Sequence, residues 1–256
     1  MNKRAVAVKR RIKYELTLAA VLALLLIVVL LPRDKPEPRP EFVRVPAVTL
    51  SPDAIWALDA AHFEYTDGKW AYVKYGEGSS TNIDVGRFST PEKKTNKDLV
   101  QFALQAWENQ WGYVWGTFGD VLTEERLTYK LEQYPQDVGE AEDYIREHWL
   151  NRRTVDCMGI IKGYGWYDPD TGAINYNSGA MRDTTTEGMF NDATVKGPID
   201  TMPDTPGLIV YAVGHVGVYV GDGEVIESIS TVGGVVKTLL SGRNWTHWMQ
   251  CPDIEY

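Results

Sequence analysis

Cysteine and histidine are both scarce in this chain, with two and four among 256 residues. The two cysteines, Cys157 and Cys251, permit at most one disulfide, which excludes a small fold held together by bridges. A chain that is 44% hydrophobic and has nine tryptophans can build its core without one. The histidines are dispersed and show no metal-ligand spacing. Asp168, Asp170 and Gly172 echo the start of a calcium loop, but its twelfth position falls on Gly179 rather than Glu, so a turn is the expectation. Neither a metal nor a cofactor is implied. Basic charge is also in short supply beyond the first residues. Residues 32–256 hold 20 basic and 34 acidic side chains. Such a domain lacks the basic face that a phosphate backbone requires, so nucleic acid is not an expected partner.

The missing basic charge is concentrated at the start, where Lys3, Arg4, Lys9, Arg10, Arg11 and Lys13 stand without an acid. Leu16–Leu31 then reads LTLAAVLALLLIVVLL, and Tyr14 and Pro32 extend this run toward the two interfaces. A cleaved signal peptide shares the basic start and the apolar core but ends in a small-x-small site. Here the run passes into LPRDKPEPRP, which favours an uncleaved anchor. The expectation is a cytoplasmic basic tail over 1–13, a single transmembrane helix over 14–31, and everything beyond on the outer side of the cell membrane. Five prolines among charges over 32–46 make the segment 32–47 an extended spacer, with a reach of about 45 Å at about 3 Å per residue.

Residues 48–95 suggest a small subdomain or an arm. AIWALDAAHFEY reads as a short helix or strand, and the Asp67-Gly68 turn and KWAYVKYG continue it as a hairpin. From Asn96 a helical stripe runs toward Gly112. YVWGTFG follows, then a polar, helix-like stretch over 123–152. Asp156 opens a short apolar helix, CMGIIKGYGW, with a carboxylate at its N-cap. Another helix is expected near 184–196. LIVYAV, HVGVYVG, EVIESIS and VVKTLL then read as strands separated by glycine-containing turns. Helices first and strands last predict an α+β domain over 96–256, with helices packed on an antiparallel sheet.

A thiol becomes a nucleophile when a helix N-terminus or a nearby imidazolium stabilises its thiolate. Cys157 follows a capping residue, and Gly159 would let that turn pack closely on a strand. A buried structural thiol is the alternative, and position alone leaves it open. His215 leads a strand in which His215, Gly217 and Tyr219 share one face and valines occupy the other. Gly214 and Gly217 leave open backbone where a substrate chain could approach. Trp245 and Trp248 suit core packing better than a ligand cleft, and Cys251 is read as a bystander.

YVWGTFG, VDCMGIIKGY and PGLIVYAVGHVGVYVGDGEVIES resemble the successive motifs of the NlpC-type cell-wall cysteine peptidases, over roughly residues 97–250. The resemblance implies a papain-like α+β core with Cys157 as nucleophile and His215 as general base. It implies Glu227 as the group orienting the imidazole, and Tyr113 near the oxyanion. Asp156, Gly214 and Gly217 fall in the same oxyanion and substrate-binding motifs. The implied substrate is a peptidoglycan stem peptide, cut between γ-D-glutamate and the following diamino acid. An envelope amidase or acyltransferase of the same fold, or an inactive wall-binding module, are the alternatives.

Two features depart from that pattern. The orienting position, often histidine, is Glu227. A two-residue Asp222-Gly223 loop would pair Val218 with Glu227 and turn the carboxylate away from His215. A three-residue loop with a left-handed Gly223 would pair Gly217 with Glu227 and face it toward the imidazole, so an orienting role for Glu227 requires the longer, bulged turn. The second departure is the 39 residues between Gly116 and Asp156, which form either a wall or lid over the cleft or inert decoration.

Overall fold

The computed structural model describes residues 61–66, 69–74, 81–178 and 181–256. The basic tail, the apolar run, the proline spacer, residues 48–60 and the Asp67-Gly68 pair lie outside them. Among the described residues no helix is long and apolar enough to cross a membrane.

The described chain begins with β1 (Ala61–Thr66) and β2 (Lys69–Lys74), an antiparallel hairpin. Next come α1 (Asn96–Glu108), β3 (Phe118–Val121), α2 (Glu124–Gln133), α3 (Glu142–His148), β4 (Arg153–Val155) and α4 (Gly159–Trp166). The second half holds α5 (Thr186–Asp192), β5 (Lys196–Pro198), β6 (Ile209–Ala212), β7 (His215–Gly221), β8 (Glu224–Ser230), β9 (Gly234–Leu239) and β10 (His247–Met249). Among the described residues eight strands make one sheet in the order β2-β1-β9-β8-β7-β6-β10-β5, and β3 pairs with β4 in a separate ribbon.

The architecture is α+β, and its sheet is antiparallel with one correction. β1 runs parallel to β9, Glu64 lying opposite Lys237. β8 occupies one edge of β9, and the hairpin arriving from earlier in the chain occupies the other, where it shields a strand edge.

Local chemistry sets the helix limits. Thr95, Thr123 and Thr185 cap α1, α2 and α5 by accepting from the backbone N–H three residues on. The stripe expected to run to Gly112 stops at Glu108, and Gln110 takes a left-handed φ of 52°. The polar stretch over 123–152 is two helices rather than one, because Pro135 cannot continue α2 and restricts the residue before it. The helix near 184–196 ends at Asp192, and the chain then extends into β5.

Period-two alternation sorts the strands onto two cores. Val216, Val218 and Ile226 face Leu99 and Phe102 of α1 and Ile161 and Tyr164 of α4. On the opposite face Val210, Tyr219 and Val225 pack with Trp245. The segment between Gly116 and Asp156 has a core of its own, in which Leu122, Leu127, Val138, Ile145 and Trp149 gather with Val114.

The β7–β8 connection differs from the expected turn. Gly221 pairs with Glu224 across a two-residue Asp222-Gly223 loop, in which both residues have positive φ (53° and 74°). The extra residue sits instead inside β7, as a bulge between Tyr219 and Gly221, and Val218 then pairs with Ile226. One step along, Glu227 stands opposite Gly217, on the His215 face. The bulge does the work expected of a longer loop.

Close approach of α4 to the ribbon depends on glycine. A Cβ on Gly159 would overlap the Thr117 carbonyl, and one on Gly163 the Phe118 carbonyl. Gly163→Ala should therefore destabilise the fold by about 1–3 kcal/mol through overpacking. Urea denaturation measures it, and an unchanged midpoint would show that the ribbon yields without loss.

Candidate functional site

Cys157 lies in a tight turn rather than in the helix. Gly159 N donates to Asp156 O at 3.0 Å, and α4 begins at Gly159, two residues later than the sequence suggests. Asp156 fixes this turn. Its carboxylate accepts from Gly159 N at 2.7 Å and from Gly116 N at 3.0 Å, and its own N–H donates to Thr117 O at 3.0 Å. Two segments 40 residues apart are thereby clamped together. Both carboxylate oxygens are engaged by the backbone, so Asp156 holds the turn in shape. Burial raises its pKa; the charge of Lys162 and the backbone donors oppose that.

Both thiols are free, Cys157 half-buried and Cys251 fully buried, with no disulfide between them. Burial, and then the charge of Asp156, push the Cys157 pKa up to about 12, against a downward pull from the Met158 and Cys157 backbone N–H groups. The resting thiol is therefore protonated at neutral pH. Tyr113 is half-buried nearby, and its phenol is held above its ordinary pKa by burial and by the charges of Cys157 and Asp156.

His215 and Glu227 meet directly, Nε2 to Oε2 at 2.6 Å. A carboxylate only accepts, so the hydrogen lies on Nε2 and Nδ1 is left as the free nitrogen. Glu227 has no solvent exposure. It is satisfied by two further donors, Thr238 Oγ1 to Oε1 at 2.6 Å and Arg243 Nη2 to Oε2 at 2.8 Å. Burial alone would raise its pKa, but His215, Arg243 and Thr238 together bring it below the usual carboxylate range. Trp245 stacks on the imidazole, with centroids 5.4 Å apart and planes 9° apart.

A cavity of about 600 Å³ opens over Cys157. Trp115, Gly116 and Asp156 line it beside the thiol, and Arg126, Tyr129, Lys130 and Tyr134 form one wall. That wall is the long segment between Gly116 and Asp156, so the segment shapes the cleft. Thr185, Glu187 and Gly214 form another part of the lining, where Gly214 N donates to Glu187 Oε1 at 2.9 Å. His215 is the chain neighbour of Gly214 but its ring lies on the Trp245 side, and no hydrogen bond joins it to Cys157. Around Gly214, whose φ is 76°, a Cβ would meet open space. Gly217 corrects the expectation of open backbone there, since a Cβ would strike Val225 and approach Trp245. It makes room for that ring.

Thr238, Arg243, Trp245 as a stacking partner, Glu187 and the wall cations were not identified from the sequence. Strand alternation puts Thr238 on the Glu227 face, since Val225 pairs with Thr238. Arg243 arrives from the connection after β9, where no periodicity marks it.

No family model matches the chain, and no curated protein does. Among solved structures it is similar to the peptidoglycan hydrolase RipB from Mycobacterium tuberculosis, with 16% identity, 72% of this chain and 75% of that chain covered, and a TM-score of 0.35. It is similar to the P60 domain of the antigen MAP1204 from M. avium subspecies paratuberculosis, with 21% identity, 63% and 98% covered, and a TM-score of 0.36. It is also similar to NlpC2 from Trichomonas vaginalis, with 15% identity, 72% and 55% covered, and a TM-score of 0.35. Likenesses this distant carry no inference about chemistry.

Two measurements probe the geometry. Iodoacetamide should alkylate Cys157 in the folded protein and Cys251 only on unfolding, with the Cys157 rate still rising above pH 9; a plateau from pH 5 upward would instead reveal a resting thiolate. The sign for Glu227 follows from its lowered pKa: its contribution to stability is present above the unfolded value near 4.5 and is lost as pH falls through the folded value. Melting temperature measured from pH 6 to pH 3 should therefore drop less steeply for Glu227→Gln than for the parent.

Proposed function

We propose that this protein is a cysteine peptidase that hydrolyses amide bonds in peptidoglycan stem peptides through an acyl-enzyme, with Cys157 as nucleophile and His215 as base. One observation carries the reading. An imidazole fixed by a buried carboxylate adjoins, through Gly214, a cavity that contains the half-buried thiol.

The chemistry follows from the contacts. Glu227 holds Nε2–H, which sets the tautomer and steadies the imidazolium that forms when Nδ1 accepts a proton. With the thiol protonated at rest, proton transfer accompanies attack and does not precede it. This requires Nδ1 to reach Sγ past Gly214, where the backbone is unobstructed. As sulfur attacks the carbonyl carbon, negative charge develops on the carbonyl oxygen. The Cys157 backbone N–H, at the turn leading into α4, would donate to it, with the Tyr113 hydroxyl assisting as the motif resemblance implies. His215 then protonates the leaving amine, and water, deprotonated by His215, cleaves the thioester.

The bond proposed is the amide between the γ-carboxyl of D-glutamate and the following diamino acid, as the motif resemblance implies. The apolar run over 14–31 and the proline spacer would hold the domain outside the cell membrane, beside that polymer.

Digestion of purified peptidoglycan, with new termini identified by mass spectrometry, tests the proposal. The reduced, folded protein should release glutamate carboxyl and diamino acid amino termini. Cys157→Ala should release none, and Glu227→Gln should be slower by about 10²- to 10⁴-fold. Intact walls after treatment with the parent protein would sink the reading, and termini at another amide would move the cut.

A further inference from the structure

Three cations stand on or beside the cavity wall, and two of them are neutralised. Arg126 Nε pairs with Asp120 at 2.6 Å, and Lys162 Nζ with Asp183 at 2.9 Å. Lys130 is different. It is only 4% exposed, yet it forms no ion pair among the described residues. One of its three donors reaches the Gln133 amide oxygen at 3.0 Å. Tyr129 and Tyr134 present their rings at 5.4 and 5.3 Å. The acidic neighbours of Lys130 are engaged elsewhere, Asp120 with Arg126 and Asp156 with backbone N–H groups. A buried ammonium without a direct ion-pair partner is costly unless something else supplies the charge.

The position of that ammonium fits a substrate contact. A Cβ built on Gly116 would stand 3.1 Å from Nζ, and Gly116 N donates to Asp156, the residue before Cys157. Both Lys130 and Cys157 line the same cavity.

We propose that Lys130 receives a carboxylate of the substrate, so that the cleft selects an acyl donor bearing a free carboxylate close to the scissile carbonyl. The inference rests on the amide-hydrolase reading. In a γ-glutamyl amide that carboxylate is the α-carboxylate, four carbon–carbon bonds from the carbonyl under attack. A stem in which it has become a carboxamide offers Lys130 no charge. The donor set also suits such a switch: burial lowers the Lys130 pKa to about 8, helped by the charges of Arg126 and Lys162 and opposed by those of Asp120 and Asp156. Carboxylate selectivity should thus fade at alkaline pH.

The test uses two probes that differ in one group, a γ-D-glutamyl diamino acid dipeptide with a free α-carboxylate and its α-carboxamide counterpart. The parent should favour the carboxylate in kcat/KM by about 10- to 100-fold, the range expected of one charged hydrogen bond. Lys130→Met should handle both probes alike, and Lys130→Arg should keep the preference. Discrimination that survives in Lys130→Met, or is absent from the parent, overturns the proposal. Should Lys130→Met fail to fold, the parent's own preference decides, since it should decline between pH 7.5 and 10, and a constant ratio overturns the assignment. Calorimetric binding of the same probes separates the two claims. Carboxylate-selective binding without cleavage supports Lys130 and defeats the hydrolase reading, whereas equal binding of both probes defeats Lys130.

Discussion

A carboxylate sealed from solvent has to be surrounded by donors, and Glu227 gathers three of them: the imidazole of His215, the hydroxyl of Thr238 and the guanidinium of Arg243. Those donors come from β7, β9 and the connection beyond β9, so the arrangement ties together the end of the sheet where the site lies. Removing the carboxylate would leave the buried Thr238 hydroxyl and the part-exposed Arg243 guanidinium without their acceptor, a loss of about 1–3 kcal/mol for the buried group left unsatisfied. The imidazole is also pressed by Trp245, which has room to lie flat because position 217 has no side chain. The imidazole is therefore held from two directions.

The thiol is held by other means. Asp156 joins the turn carrying Cys157 to Gly116 across the long intervening segment, and Gly159 and Gly163 bring α4 against β3. The thiol and the imidazole thus belong to different packing units, one on the α4 face of the sheet and one on the Trp245 face. Gly214, the chain neighbour of His215, lies on the lining of the cavity that contains Cys157.

Much of this was legible in the residues. The alternation of HVGVYVG and EVIESIS set the strands, but because side-chain direction in a strand depends on parity, Glu227 reaches the His215 face only with an extra residue between them. The turn was read less well. Parity required one extra residue between the two strands, and a loop was the obvious place for it. The chain puts it at a bulge before Gly221, which the pattern of side chains does not reveal. The parallel contact of β1 with β9 and the arrival of Arg243 are long-range events without a local signature. The sequence does not separate wall from decoration for the segment between Gly116 and Asp156, because it is polar overall. Its small core draws on single apolar residues scattered from Val114 to Trp149.

That small core has a consequence for how the protein can change over time. The wall of the cleft is folded around Leu122, Leu127, Val138, Ile145 and Trp149, and none of these belongs to the cluster beneath Cys157 or to the one around Trp245. Additivity between distant, separately packed sites means that substitutions there leave the energetics of the imidazole–carboxylate pair nearly untouched. The wall behaves as an interchangeable part. Selection can reshape what the cleft admits while the imidazole–carboxylate pair stays fixed, and the two can be tuned in separate steps.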